Sequence, residues 1–258
     1  MADEVISGLE SGILSLTINR PDQRNALNQA VLEGLRRAFH GAAEDRAIRV
    51  VAITGAGDKV FSAGADLKSA LSEAASGSVF RGTDYRRLLL EILSCPKPTV
   101  ALARGHVMAG GIGILLACDL ALACDDIHFS TPEILVGMFP MMVLALLFRN
   151  VGRKKATELL FLGERVSADD AMESGIVNHV YPREQFEIEA GRFLRKLSEK
   201  SSSILRMGKK AIMRVADRTL PEDLDYLEST LAEVRSCADS KEGIRAFVEK
   251  RKPRWEDE

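Results

Sequence analysis

The sequence is poor in the residue groupings that mark several common chemistries. Its four cysteines, Cys95, Cys118, Cys124 and Cys237, form no CxxC pair, and none stands at metal-ligand spacing to the four histidines. That argues against a zinc ribbon or a dithiol redox motif and suits buried free thiols in a reducing compartment. A one-sided charge is missing too. The 35 Lys and Arg against 37 Asp and Glu leave a formal net charge of −2, which gives no electrostatic case for a nucleic-acid or membrane-surface partner. The longest apolar run, MMVLALLF at Met141–Phe148, falls far short of the roughly 20 residues that a bilayer span needs. The opening MADEVISGLE is acidic and has no apolar core of the signal-peptide kind. No repeat of fixed period is present. These absences set the expectation of a cytoplasmic protein with no metal, no cofactor, and no nucleic-acid or membrane partner.

What is present is an ordinary globular composition, 46% hydrophobic and 28% charged over 258 residues, enough for one large domain or a domain with an appendage. GILSLTIN (Gly12–Asn19) alternates as a strand until Pro21 breaks it. Leu27 to about Ala43 is an amphipathic helix, with Leu27, Val31, Leu35, Ala38 and Phe39 on one face. Ile48–Thr54 reads as a buried strand, and GAGDKVFSAGADLK follows it as a turn. The order then recurs: a short strand in KPTVALARG, a glycine-bearing helix from about Gly110, a strand in DLALAC. GRKKATELLFLG is a helix, SADDAMESG is another with Ser167 as N-cap and Gly175 as its stop, and IVNHVY is one more strand. The alternation predicts an α/β class. From Pro182 onward only helices are predicted: Pro182–Glu199, Ser202–Ala216, Pro221–Ala238 and Ser240–Lys250. The division expected is a core over 1–195 and a helical region over 196–258. The apolar stripe Leu224, Leu227, Leu231 and Val234 could cover either the chain's own core or a second subunit.

Two glycine-bearing corners stand out, FSAGADLK (Phe61–Lys68) and MAGGIG (Met108–Gly113). Gly110, Gly111 and Gly113 crowd the first turn of a helix, where each costs roughly 1 kcal/mol relative to alanine. Something must therefore approach the backbone closely. Tight packing of the helix would do, and so would an anionic oxygen held by exposed backbone N–H groups at a helix N-terminus. Neither corner fits GxGxxG or GxxxxGK[ST], which disfavours a nucleotide fold.

Taken together, LTINRPDQRNALN, VVAITGAGDKVFSAGADLK, KPTVALARGHVMAGGIGILLACDLALA, HFSTPEILVGMFP, VGRKKATELLFLGERVSADDAMESGIVNHV and EGIRAFVEKRKP resemble the enoyl-CoA hydratase/isomerase (crotonase) superfamily over nearly the whole chain. The resemblance implies a crotonase-like spiral of ββα turns, a C-terminal helical region that builds homotrimers or homohexamers, and an acyl-CoA thioester as substrate, with CoA a part of that substrate. It places the oxyanion donors at the N–H groups of Ala65 and Gly110. It places the CoA-binding residues at Arg24, Ala26, Ala63, Ala65, Asp66, Leu67, Lys68 and Gly110, with Lys68 near the phosphates and Phe247 and Lys250 contributing from the last helix.

Members that hydrate use two glutamates, and the resemblance shows what stands at each position. The second is kept as Glu133 in STPEILVG; the first falls at Gly113 and is gone. Water addition needs one group to activate water and another to protonate the α-carbon, whereas a proton shuttle needs only one. Met141, Met142 and Val143 replace a small, glycine-rich stretch and would fill space and exclude water. The reading that follows is an enoyl-CoA isomerase (Δ3 to Δ2) with Glu133 as its base. The alternatives are a hydratase or dehydratase with a substitute acid near Tyr85 or His106, a thioester hydrolase or decarboxylase, and a non-catalytic acyl-CoA-binding protein. Asp66 is expected to brace its own turn by local hydrogen bonds, and Asp119 to cap or position a strand.

Overall fold

The computed structural model describes residues 3–66, 83–215 and 219–256. The chain opens with a hairpin, β1 (Val5–Glu10) antiparallel to β2 (Ile13–Ile18). Ser11 and Gly12 make its turn, both at positive φ (50° and 78°), the twist that a two-residue hairpin requires. The sequence pattern did not mark β1. Five of its six residues are exposed, so it carries no apolar alternation to read. Asn28 then starts α1 (Gln29–Glu44), its side chain accepting the Val31 N–H at 2.9 Å. The helix buries Val31, Leu32, Leu35, Phe39 and Ala42.

Three parallel strands follow at the centre of the larger sheet: β3 (Val50–Gly55), β5 (Thr99–Ala103) and β7 (Leu120–Cys124). With β10 (His179–Tyr181) at the far edge, the order is β1-β2-β3-β5-β7-β10. β10 is shorter than IVNHVY promised. Asn178 instead turns its side-chain oxygen to the Ala121 N–H at 2.8 Å, and Ile176 bonds back to Ala171.

The smaller sheet consists of strands too short to show a period: β4 (Val60–Ser62), β6 (His106–Met108), β8 (His128–Ser130) and β9 (Val166–Ser167), in the order β4-β6-β8-β9. β4 lies inside the segment expected to be only a turn. Each pass of the chain runs from a large-sheet strand to a small-sheet strand and then to a helix. β3 and β4 lead to α2 (Thr83–Ser94), and β5 and β6 lead to α3 (Gly110–Ala117). This is the expected ββα spiral. Because every pass crosses from one sheet to the other, the loops after β4, β6 and β8 stack at the same end of the small sheet. That end holds both glycine corners and Glu133.

The third pass is longer. A 3-10 turn at Pro132–Val136 leads into α4 (Met141–Asn150), α5 (Arg153–Leu162) and α6 (Ala168–Glu173), the last capped by Ser167 as expected. Four helices end the chain: α7 (Arg183–Ser198), α8 (Ser202–Val215), α9 (Leu220–Ser236) and α10 (Ala238–Val248) among the described residues. Arg49 donates from β3's approach to the carbonyls of Ser198 (2.6 Å) and Lys200 (2.7 Å), and Lys209 of α8 reaches Asp119 at 2.7 Å. Asp119 also accepts from the Thr99 N–H and hydroxyl, so it positions β5 as expected. Among the described residues no helix is long and apolar enough to cross a membrane.

Candidate functional site

The first corner is held by Asn25, which is buried at 1% exposure. Its side chain accepts from the Arg20 N–H (3.0 Å) and donates to the carbonyls of Ala56 (3.0 Å) and Val60 (2.7 Å). It thereby joins the loop before α1 to both ends of the β3–β4 link. The Ser62 hydroxyl donates to the Asn25 carbonyl at 2.8 Å and accepts the Gly64 N–H at 3.2 Å. Residues 63–66 then run beside Arg24–Leu27. Ala63 N–H donates to the Arg24 carbonyl, Leu27 N–H to the Gly64 carbonyl, and Asp66 N–H to the Leu27 carbonyl. In a parallel bridge of this kind only the residues flanking Ala65 face the neighbouring strand. The Ala65 N–H points the other way, toward the pocket, and has no partner among the described residues.

The second corner is strained. Ala109 sits at φ 51°, ψ −128°, a conformation L-residues rarely adopt, at a cost on the order of 1–3 kcal/mol. Its own N–H is fixed to the Ser130 carbonyl at 2.9 Å. This sharp bend starts α3 at Gly110, whose N–H is one of the unsatisfied donors of a helix N-terminus and makes no hydrogen bond among the described residues.

The two corners touch. Gly64, at φ 82°, approaches so closely that an added Cβ would lie 2.5 Å from the Ala109 Cβ and 2.7 Å from the Gly110 nitrogen. Only glycine permits both that backbone angle and that approach. Two unpaired N–H groups from different passes of the spiral are thus brought to one pocket, where they can hold a single anionic oxygen.

Glu133 lines the same pocket from the 3-10 turn Pro132–Val136, which the buried Thr131 hydroxyl anchors to the Leu159 carbonyl at 2.6 Å. The carboxylate is half-buried, and its Oε2 has no hydrogen-bond partner among the described residues. Burial pushes its pKa up. The facing walls are apolar: Val136, Met138, Phe139, Met141, Met142 and Val143. Tyr85 of α2 completes the lining. It is 7% exposed and donates from its hydroxyl to the Gly110 carbonyl at 2.6 Å. Burial, and then the negative charge of Glu133, push its pKa far up, which keeps it a neutral phenol.

The structure therefore gathers Ala63, Ala65, Gly110 and Glu133 around one pocket. Arg24 and Ala26 lie on the loop that braces the first corner and do not line the pocket. Asp66 accepts from Arg20, 46 positions away, at 3.0 Å, and the same guanidinium nitrogen donates to the Ala26 carbonyl at 2.8 Å. Leu67 and Lys68 lie outside the described residues. Phe247, in the last turn of α10 at 86% exposure, and Lys250, just past the end of that helix, do not line the pocket. His106 is not a pocket wall either. Its ring stacks on His128 at 5.3 Å and accepts the His128 N–H through Nδ1 at 3.0 Å, and burial followed by the charge of His128 lowers its pKa. Two determinants escaped sequence reasoning, the strained Ala109 and the contact made by Gly64. Neither has a local signal, because each depends on the other corner.

Comparison with known proteins gives a consistent result. The family model described as enoyl-CoA hydratase/isomerase matches residues 8–258. Mouse enoyl-CoA hydratase domain-containing protein 3, mitochondrial, is 36% identical over 258 aligned residues, covering 95% of this chain and 82% of that protein. A putative enoyl-CoA hydratase of Thermus thermophilus is 34% identical, covering 92% of this chain and 95% of that protein. Among solved structures, human enoyl Coenzyme A hydratase domain-containing protein 3 superposes with a TM-score of 0.91 at 30% identity, covering 98% of this chain and 100% of that one.

Proposed function

Because the chain belongs to the enoyl-CoA hydratase/isomerase family, we propose that it is an acyl-CoA isomerase that moves a double bond from the Δ3 to the Δ2 position, with Glu133 carrying the proton. One observation supports this reading most directly. Glu133 is the one carboxylate among the described residues lining the pocket that holds the two unpaired N–H groups.

In this reading the thioester oxygen lies against the N–H groups of Ala65 and Gly110. Charge moves onto that oxygen as the α-carbon loses its proton, so donors fixed there stabilise the transition state more than the ground state. The Glu133 carboxylate breaks the C2–H bond. The electron pair makes C1=C2 of a dienolate with its charge on the thioester oxygen. As the carbonyl re-forms, the C1=C2 pair becomes C2=C3 and the old C3=C4 pair takes the proton from Glu133 to form a C4–H bond. One carboxylate starts and ends ionised, and the mass does not change. A carboxyl whose pKa is raised by burial suits both halves of this transfer, because it takes and returns a proton with less bias. The apolar residues between Val136 and Val143 that line the pocket offer the dienolate no competing polar group.

Hydration is the second reading, favoured by the name of the Thermus thermophilus relative. Offering 3-enoyl-CoA and 2-enoyl-CoA thioesters of several lengths, with products resolved by mass, separates the two. A double-bond shift without mass change supports the isomerase; a gain of one water replaces it with the hydratase.

A further inference from the structure

Tyr85 and Gly113 form a pair that nothing in the isomerase reading itself requires. Gly113 stands one turn along α3 from Gly110, on the same face of the helix. A side chain there would emerge between Tyr85 and Val143, both of which line the pocket. That direction is occupied. A Cβ built on Gly113 would fall on the Tyr85 hydroxyl oxygen, far inside van der Waals contact, with the Tyr85 Cζ at 3.2 Å and a Val143 methyl at 3.4 Å. Tyr85 has little freedom to retreat. It lies on a helix whose Leu88, Leu89 and Ile92 are buried, and its hydroxyl is tied to the Gly110 carbonyl at 2.6 Å.

We propose that Tyr85 is the specificity-determining residue of the site. Its phenol occupies the space in which a group on position 113, or a nucleophilic water, would face the substrate across from Glu133, and so restricts the pocket to chemistry that one carboxylate can perform. Water addition forms a C3–O bond, removes a proton from water and delivers a proton to C2. Those transfers occur at different atoms and need room for a water beside the alkene. Moving a double bond needs neither the water nor a second acid. The Tyr85 hydroxyl is no substitute acid, since its proton is committed to the Gly110 carbonyl and its burial beside Glu133 opposes ionisation. This inference rests on the isomerase reading and deepens it.

The test has two parts, both on the full chain. The first is a thermal-denaturation cycle with Gly113→Ala, Tyr85→Ala and the double variant. Gly113→Ala alone is expected to lower Tm by roughly 2–10 °C through overpacking, and to cost much less when Tyr85 is already Ala. An equal loss in both backgrounds overturns the steric pairing, whatever the enzyme catalyses. The second part compares product masses from 2-enoyl-CoA and 3-enoyl-CoA for the wild type, Tyr85→Ala and Tyr85→Ala/Gly113→Glu. The double variant is expected to raise the ratio of hydrated to shifted product by about tenfold or more. If the wild type shifts the bond and the folded variants never add water, Tyr85 does not set the reaction and the isomerase reading stands alone. If the wild type itself adds water, the isomerase reading fails first.

Discussion

A single carboxyl carries the opposing demands of this site. Glu133 is half-buried with an unpartnered oxygen, and burial raises its pKa above the ordinary carboxylate range. A raised folded-state pKa means that the native chain binds the proton more tightly than the unfolded chain. Its effect on stability is therefore nil below the unfolded pKa, and stability falls as pH rises through the folded one. Glu133→Gln removes the charge, so its Tm is expected to match the wild type in acid and exceed it near neutral pH; melting curves across that range check the sign. The same variant is expected to lose turnover by about 10²–10⁴-fold while still binding CoA thioesters, measurable by calorimetry. In the wild type, kcat/KM is expected to rise with pH along a limb displaced above the ordinary carboxylate range, because the base must be ionised. Gly64→Ala acts on the other half of the site. The Cβ would push the Ala109–Gly110 bend away, so a large drop in kcat is expected even where the variant folds.

At the scale of elements, legibility followed exposure and length. α1, β3, β7 and α6 were readable because each is long enough to show a period or bears a cap that acts locally. β1 was invisible because it is a mostly exposed edge strand, and β4, β6, β8 and β9 are two or three residues each, too short for any periodicity. Yet β4 and β6 deliver the two donors. The element that aligns them is the loop carrying Asn25, whose side chain satisfies three backbone groups on two segments. Asn25→Ala would leave those half-buried groups without this partner, at a cost of up to about 1–3 kcal/mol apiece. The expected outcome is a Tm well below that of surface variants, with loss of turnover at temperatures where the fold survives, read by circular dichroism and assay together.

At the scale of the whole molecule, the helical region leaves an apolar stripe in view. Leu220, Leu224, Leu227 and Leu231 of α9 are between 37% and 70% exposed, and Ile244, Phe247 and Val248 of α10 add to the uncovered surface. Burying a leucine is worth about 1.5–3 kcal/mol, so these helices fit a role in self-association, the trimer or hexamer expected from the family resemblance. Sedimentation of the purified chain is expected to give a multiple of the single-chain mass, and Leu224→Glu with Leu231→Glu to shift it to single chains. A wild type that sediments as single chains would remove the oligomer from the account.

The sequence by itself determined the family, the α/β alternation, the C-terminal helices and the identity of Glu133, Ala65 and Gly110 as residues to watch, because those signals are local in the chain. It showed that no carboxylate stands at position 113, but not what fills the space. Tertiary structure alone decided that Tyr85 fills it, that Gly64 lets the two corners touch, that Arg20 reaches Asp66 across the chain, and that His106 faces His128 instead of the pocket. Each of these joins segments that only the crossing of the two sheets brings together. Steric exclusion and hydrogen bonding act over a few ångströms of space, whatever the distance along the chain.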